Sequence, residues 1–492
     1  MIFLGYDIGS SSIKACAFDG KTGLALHSVS YPEKEMLISS PKPGFAEQNP
    51  DDWWTYLIKA TQKLLTESKI NGHRIEAIGI SYQMHGLVVV DESLEILRPA
   101  IIWCDSRAVE TGQDAFQKIG PHVCMDHLLN SPGNFTASKL AWIKSHEPNI
   151  FRKIHQIMLP GDFIAMKLTG DIRTTISGLS EGIFWDFKTN DISELILSEF
   201  GFDEELFPPL VPTFGEQGLL TAPVAKILEM RTGIPVTYRA GDQPNNAFSL
   251  NVLNPGEMAA TAGTSGVVYG VSNTRKYDRK SRINTFIHVN HNMPGDRYGV
   301  LLCLNGAGIL NAWLRRNFGE TSYENMNTLA DQVPIGSDGL FIFPFGNGAE
   351  RMLENRDPGS RILGWNYNIH QKQHIYRAAQ ESIAFALYYG MKIMESVGTS
   401  FTTIRAGHAN MFLSRIFSQT LADLTGATIE LYDTDGSQGA ARGAALGHRY
   451  YGDFKDAFSG LKMMSSIRPS QKSKQVQESY QGWENALHKI LT

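Results

Sequence analysis

Leu4-Gly5-Tyr6-Asp7-Ile8-Gly9-Ser10-Ser11-Ser12-Ile13-Lys14-Ala15-Cys16-Ala17-Phe18-Asp19 stands almost at the N-terminus and reads as two short strands joined by a tight turn of small residues. Gly9 permits a backbone geometry that other residues resist. The hydroxyls and N–H groups of Ser10, Ser11 and Ser12 can line a concave surface suited to an anion. Asp7 closes the first strand beside that surface, and a carboxylate there suits a magnesium-bound phosphate, because hard cations take oxygen ligands. A plain hairpin whose Asp caps its own loop uses the same residues, so the rest of the chain has to decide.

A second stretch repeats the design. Met258-Ala259-Ala260-Thr261-Ala262-Gly263-Thr264-Ser265-Gly266-Val267-Val268-Tyr269 is again strand, small hydroxyl-bearing turn, strand. Just before it, a β-rich run over 234–240 stops at Gly241-Asp242, and Pro244 suits the first turn of a following helix. Asp242 is either a helix cap or a second acidic group at a strand-to-helix junction, in a setting like that of Asp7. Two turns of this kind, one in each half, could each offer backbone donors to a shared polyphosphate. Neither fits GxxxxGK[ST] or GxGxxG, so P-loop and Rossmann readings gain no support.

Between these stretches, an apolar strand over 75–81 runs into Tyr82-Gln83-Met84-His85-Gly86, and a second strand follows over 87–91. Polar groups at the end of a strand occupy the place where α/β sheets carry ligands; a hydrogen-bonded turn histidine is the competing account. Residues 99–107 read as a strand ended by Asp105 and Arg107, either an ion pair or ligand groups. Asn49 and Pro50 predict a helix start, with Trp54, Leu57, Ile58, Thr61, Leu64 and Leu65 on one face and Trp53 and Trp54 as core anchors. Lys139, in a helix predicted within 135–147, needs no role beyond a surface or capping charge. Long helices are predicted over 374–395 and from 472 onward, and an Ala/Gly-rich helix over 436–447, whose small residues permit close packing.

At 492 residues the chain exceeds one typical core. The expected division is 1–248 and 249–492. A composition of 42% hydrophobic and 19% charged residues is ordinary for a globular protein. With 45 basic against 50 acidic side chains, the net charge of −5 signals no nucleic-acid surface. Cys16, Cys104, Cys124 and Cys303 are scattered without CxxC spacing, which fits a reducing compartment. With no leader pattern and no apolar run of membrane-spanning length, the expectation is a cytoplasmic protein with no membrane partner.

Together these stretches resemble the FGGY carbohydrate kinases. The resemblance runs over nearly the whole chain, through Asp7-Ile8-Gly9-Ser10-Ser11, Glu47-Gln48-Asn49-Pro50 with Trp53-Trp54, Lys139-Leu140-Ala141-Trp142-Ile143, Gly241-Asp242, Gly263-Thr264-Ser265-Gly266 and Gly348-Ala349-Glu350-Arg351. Gln83-Met84-His85-Gly86 is similar to the segment that xylulose kinases carry, where glycerol kinases have Arg-Glu in place of Met-His. The resemblance implies an α/β fold of two ribonuclease-H-like (actin-like ATPase) domains flanking a central cleft, with sugar held mainly by the first and ATP by the second. It implies Asp242 as general base, Asp7 as the Mg²⁺ residue, and Gln83, Met84, His85, Asp242 and Gln243 as sugar contacts. For ATP it implies Gly9, Ser10, Ser11, Gly263, Thr264, Ser265, Gly308, Gly407 and Asn410. The expected reaction is ATP-dependent phosphorylation of a ketopentose, D-xylulose foremost, with another ketose, a polyol or a sugar acid as the alternative acceptor and a chaperone-like ATPase as the reading from another class. The resemblance also suggests a homodimer. Two departures stand out: 406–414 lacks the glycine run usual in the adenosine loop, and Gln243-Pro244 follows the expected base where xylulose kinases carry Asn and small residues.

Overall fold

The structure, a computed structural model, describes residues 1–293 and 295–492. In chain order its first unit contains β1 (Ile2–Ile8), β2 (Ile13–Asp19), β3 (Leu24–Tyr31), α1 (Pro50–Ser68), β4 (Ile75–Tyr82), α2 (Thr136–His146), α3 (Ile176–Glu181), β5 (Val236–Gly241) and α4 (Asp242–Ser249). The second unit holds β6 (Glu257–Ala262), β7 (Gly266–Ser272), β8 (Tyr298–Leu304), α5 (Gly308–Asn317), α6 (Lys372–Ser396), β9 (Thr403–Gly407), α7 (Arg415–Thr425) and β10 (Thr428–Tyr432). The chain then returns to the first unit for α8 (Gly436–Gly447), and β11 (Met463–Ile467) and α9 (Ser473–Leu491) complete the second.

By contacts each compact unit draws on more than one segment of the chain. Unit one is Met1–Asn251, Phe286–Asp296 and Thr434–Leu461; unit two is Val252–Thr285, Arg297–Asp433 and Lys462–Thr492. The physical reason for the largest return lies in α8. A Cβ on Gly5 of β1 would collide with the Ser437 carbonyl, and one on Gly79 of β4 with the Ala440 carbonyl. From the helix side, Gly443 lies against the Tyr238 ring and Gly447 against the Thr237 carbonyl of β5. Helix and sheet thus touch backbone to backbone, which only small residues on both sides allow.

In the first unit the strand order is β5-β4-β1-β2-β3. β1 pairs antiparallel with β2 and parallel with β4, and β4 pairs parallel with β5. Alternation along β1 sends Gly5 to α8 and Tyr6 to the other face, where its hydroxyl meets Thr61 of α1 at 2.6 Å. Asn49 caps α1 by accepting from the Asp51 N–H. Trp53, Leu57, Ala60, Thr61, Leu64 and Leu65 are buried; Trp54 and Ile58, expected in the core, sit half-buried against it. The strand expected over 99–107 is only Ala100–Ile101. The chain turns there because Asp105 takes the Ala46 N–H and binds Arg107 through both oxygens.

Six strands of the second unit lie in the order β8-β7-β6-β9-β10-β11. β6 and β7 form an antiparallel hairpin, and β6, β9 and β10 run parallel. The core between this sheet and its helices includes Phe385 of α6, Leu421 of α7 and Trp483 of α9, whose ring stacks on Phe343 at 5.3 Å. Each unit thus opens with a hairpin and adds parallel strands, the ribonuclease-H-like α/β plan expected. Among the described residues no helix is long and apolar enough to cross a membrane.

Candidate active site

In the first unit the expected residues gather at the C-terminal ends of the parallel strands β1, β4 and β5, where sheets of this kind bind ligands. Asp7 stands opposite Ser81, and Ser81 opposite Ala240. Ala240 is two strands from Asp7, roughly 10 Å at the usual interstrand spacing, and Asp242 follows two residues later as the first residue of α4.

Asp7 is half-buried and accepts from the Ser81 hydroxyl at 2.9 Å. Burial pushes its carboxyl upward, Lys14 and Ser81 pull it down, and Asp435 adds to the rise. A Cβ on Gly436 would sit 2.5 Å from Asp7 Oδ2. The glycine at the start of α8 therefore leaves room beside the carboxylate and aims the positive end of the helix toward it. Such a site fits a hydrated Mg²⁺, which takes oxygen ligands, keeps several waters and needs only one or two carboxylates. Among the described residues no group of three or more His, Cys, Asp and Glu side chains is arranged to hold a metal.

Asp242 is half-buried as well. Burial, and secondarily the Asp7 charge, raise its carboxyl to about 7, while the N–H and side chain of Gln243 bond to it and pull the other way. The β1–β2 turn is held by Gly9 N–H donating to the Ser12 carbonyl at 3.1 Å. Gly9 and Ser10 are half-buried and Ser11 is exposed. The indole of Trp103, itself half-exposed, reaches the Ser10 hydroxyl at 3.4 Å.

The segment after β4 divides by role. Gln83 is only 2% exposed; its N–H donates to the Ile8 carbonyl, and its amide donates to Gln48 Oε1 at 3.3 Å. Gln48 in turn donates to the Ser10 carbonyl at 2.7 Å and accepts from the Trp53 indole at 3.1 Å. Gln83 thus faces inward, joined through Gln48 to the first hairpin. Met84 is buried against Gly241, whose missing Cβ would fall 2.6 Å from Met84 Cγ. His85 is half-buried at φ +61°, with its ring edge-on to Phe135 at 4.8 Å. Its Nδ1 lies 3.0 Å from the Glu181 carbonyl, which can only accept, so Nδ1 carries the proton.

Two charged residues were missed or misjudged from sequence. Lys139, expected at the surface, is fully buried on α2 and donates to the His85 and Ile102 carbonyls at 2.8 and 3.0 Å. Burial lowers its ammonium to about 7, against the pull of Asp105. Glu181, at the end of α3, is 2% exposed, and its carboxyl is pushed well above the usual range by burial and then by Asp242. It accepts from Tyr82 and from the His85 N–H. A usable sequence signal was a charge embedded in apolar surroundings, Leu140-Ala141-Trp142-Ile143 after Lys139 and Gly182-Ile183-Phe184-Trp185 after Glu181. Asp105 and Arg107, left open above, form a buried pair; Arg107 also binds Glu47 at 2.7 Å and lies over Phe45.

In the second unit the β6–β7 turn is Gly263-Thr264-Ser265. The N-terminus of α5 packs directly on it: Gly308 N–H donates to the Gly263 carbonyl at 2.8 Å and Ile309 N–H to that of Thr264 at 3.2 Å. A Cβ on Gly308 would strike the Gly263 carbonyl, and one on Gly263 would meet Asn410 Nδ2 at 3.6 Å. Asn410, at φ +54°, follows the end of β9, where Ala409 N–H donates to the Gly407 carbonyl. Gly263, Thr264, Gly308 and Asn410 are thereby brought together, with Gly407 on the adjoining turn and Ser265 completing the loop. Small residues and the hydroxyl-bearing Gly263-Thr264-Ser265 turn form a surface suited to phosphate, while the first N–H groups of α5 are spent in bracing that turn.

Residues 2–249 match the N-terminal domain of the FGGY family of carbohydrate kinases, and residues 258–447 match its C-terminal domain. The xylulose kinase of Bacillus subtilis is 29% identical over 451 residues, covering 90% of this chain and 87% of that protein. A solved structure named a xyloylose kinase, from Brucella ovis, superposes with a TM-score of 0.90 at 23% identity over 100% of both chains. A gluconate kinase from Lactobacillus acidophilus reaches a TM-score of 0.90 at 21% identity, over 100% of this chain and 98% of that one. The two structures show the shared fold. The two domain matches, spanning most of the sequence, establish that this chain belongs to the FGGY family of carbohydrate kinases, phosphotransferases that act on a sugar hydroxyl with ATP as phosphate donor.

Proposed function

We propose that the chain phosphorylates a ketopentose, D-xylulose at its 5-hydroxyl, with Asp242 as general base and Mg-ATP as donor. The observation that carries this reading is the Asp242 carboxyl, raised to about 7 at the end of β5, in the same unit as Asp7 and the Met84-His85 turn. A base near neutrality can accept the proton of the attacking hydroxyl without being permanently protonated. His85, the Met84 backbone and Gln243 hold the sugar hydroxyls, and Gln83 anchors that segment from within. Ser10 and Ser11 offer hydroxyl and N–H donors to phosphate oxygens, and Gly9, its own N–H bonded to the Ser12 carbonyl, shapes the turn that presents them. In the second unit the Gly263-Thr264-Ser265 turn, braced by the start of α5 at Gly308, does the same, with Gly407 and Asn410 against the nucleoside. Asp7 would hold Mg²⁺ through water, and the ion when bound would supply neutralisation of phosphate charge. Phosphoryl transfer needs little else, being mostly positioning and charge neutralisation.

The acceptor is the finer question. Asp7 and Asp242 put two carboxyls at the ends of two strands of one sheet, which favours a neutral sugar over a sugar acid, whose own carboxylate would meet like charge. Support for xylulose among neutral acceptors comes from Gln83-Met84-His85-Gly86 and from the named relatives; Gln243 after the base leaves another ketose or a polyol as the second reading. The test is ATP turnover with xylulose, ribulose, glycerol and gluconate. The expected result is highest kcat/KM with xylulose and lowest with gluconate. Selective turnover of another member of the panel overturns the xylulose assignment.

A further inference from the structure

His85 has a side chain yet adopts φ +61°, a region that glycine enters freely and other residues rarely do. Such a conformation persists only where its surroundings over-determine it. Here they do so at its carbonyl, its N–H and its ring Nδ1. The carbonyl accepts from Lys139 Nζ at 2.8 Å. The N–H donates to the Glu181 carboxyl, which also accepts from Tyr82. The ring Nδ1–H donates to the Glu181 backbone carbonyl at 3.0 Å, and Phe135 and Phe286 flank the ring at 4.8 and 5.4 Å.

Both charged partners are almost fully withdrawn from solvent, Lys139 at 0% and Glu181 at 2% exposure. Burying an amine and a carboxyl is costly unless their bonds repay it, and these two converge on the backbone of one residue. Gly241 belongs to the same arrangement, since a Cβ there would sit 2.5 Å from Glu181 Oε2. A glycine at 85 would adopt the turn unaided but would present no imidazole. The same Lys139 ammonium holds the Ile102 carbonyl at 3.0 Å, tying the turn to the chain just before Trp103.

We propose that Lys139 and Glu181 form a clamp that holds His85 in its left-handed conformation and in the Nδ1–H tautomer, making both of them positioning residues for the acceptor site. This rests on the reading of His85 as an acceptor contact. Neither residue touches the reacting atoms; each acts through His85.

The test uses full-length wild type, K139M, E181A and E181Q, with two readouts. Loss of the clamp in K139M and E181A raises the acceptor KM by ~10-fold or more and leaves the ATP KM within about twofold. E181Q retains an oxygen acceptor at the same position and brings the acceptor KM back to within about threefold of wild type. In ¹⁵N-histidine NMR without substrate, the His85 ring signals report the Nδ1–H tautomer in wild type and E181Q; in E181A and K139M the released turn carries the ring away from the Glu181 backbone carbonyl, and the signals shift. Equal loss of acceptor and ATP KM, no rescue by Gln, or unmoved ring signals overturn the clamp. Should K139M fail to melt cooperatively, the E181A and E181Q pair decides alone. If wild type turns over no sugar in the panel, the functional reading fails, while the NMR comparison still decides whether the clamp exists.

Discussion

At the scale of single residues the chemistry centres on Asp242. Burial and the Asp7 charge raise its carboxyl to about 7, so the ionised base is scarce in mild acid. Acceptor kcat/KM is expected to climb with pH through about 7 and then level off; a profile flat from pH 5.5 to 8.5 contradicts the role. Because Asp7 and Asp242 interact, the midpoint belongs to the pair rather than to one carboxyl. Asp242→Asn is expected to cut turnover by ~10²–10⁴-fold while calorimetry still registers sugar and ATP binding. The same shift has a stability consequence of definite sign. A carboxyl raised in the folded state binds its proton more tightly there than in the unfolded chain, so its stabilising effect is full in acid and is lost as pH rises to about 7. The Asn variant escapes that loss, and its Tm advantage over wild type is expected to grow between pH 5 and pH 8 in thermal melts.

At the scale of elements, two turns are built by close backbone approach. The β1–β2 hairpin lies beside the start of α8, and Gly436→Ala would press a methyl group to 2.5 Å from Asp7 Oδ2. The expected outcome is a rise in the Mg²⁺ concentration needed for half-maximal rate, with a melting curve close to wild type. Gly79→Val is a different kind of change, since it drives a branched side chain into the Ala440 carbonyl; a loss of ~3 kcal/mol or more in denaturant unfolding is expected. In the second unit, the start of α5 is braced by Glu350, which is 1% exposed and takes the Asn305 N–H at 3.0 and 3.1 Å. Burial lifts its carboxyl to about 7 against the pull of the Asn305 and Gly306 N–H groups. Glu350→Ala frees that chain just before Gly308, so the ATP KM should rise several-fold while the acceptor KM stays put. A change in the acceptor KM alone would dissociate Glu350 from the donor site.

At the scale of the molecule, what was legible in the sequence follows the range of the interactions. Both hairpins could be read because a strand, a glycine and a run of hydroxyls are local patterns, and α8 could be read to its last residue from its small side chains. Lys139 and Glu181 could not be placed, because they meet His85 from 54 and 96 residues away and nothing near them marks the partner. The return of α8 to the first unit was hidden for the same reason: it covers strands more than 350 residues earlier in sequence, a separation read from Gly79 and Ala440. That return carries the last prediction. Residues 1–251 contain all five strands of the first sheet but lack the helix whose backbone meets Gly5 and Gly79. With its glycine-lined face uncovered, this fragment cannot bury the surface that stabilises the sheet. Residues 1–251 alone are expected to melt without cooperativity and to bind a hydrophobic dye. Joining residues 434–461 through a flexible linker should restore a cooperative transition, and a cooperative melt of 1–251 by itself would show that α8 is dispensable to the fold of the first unit.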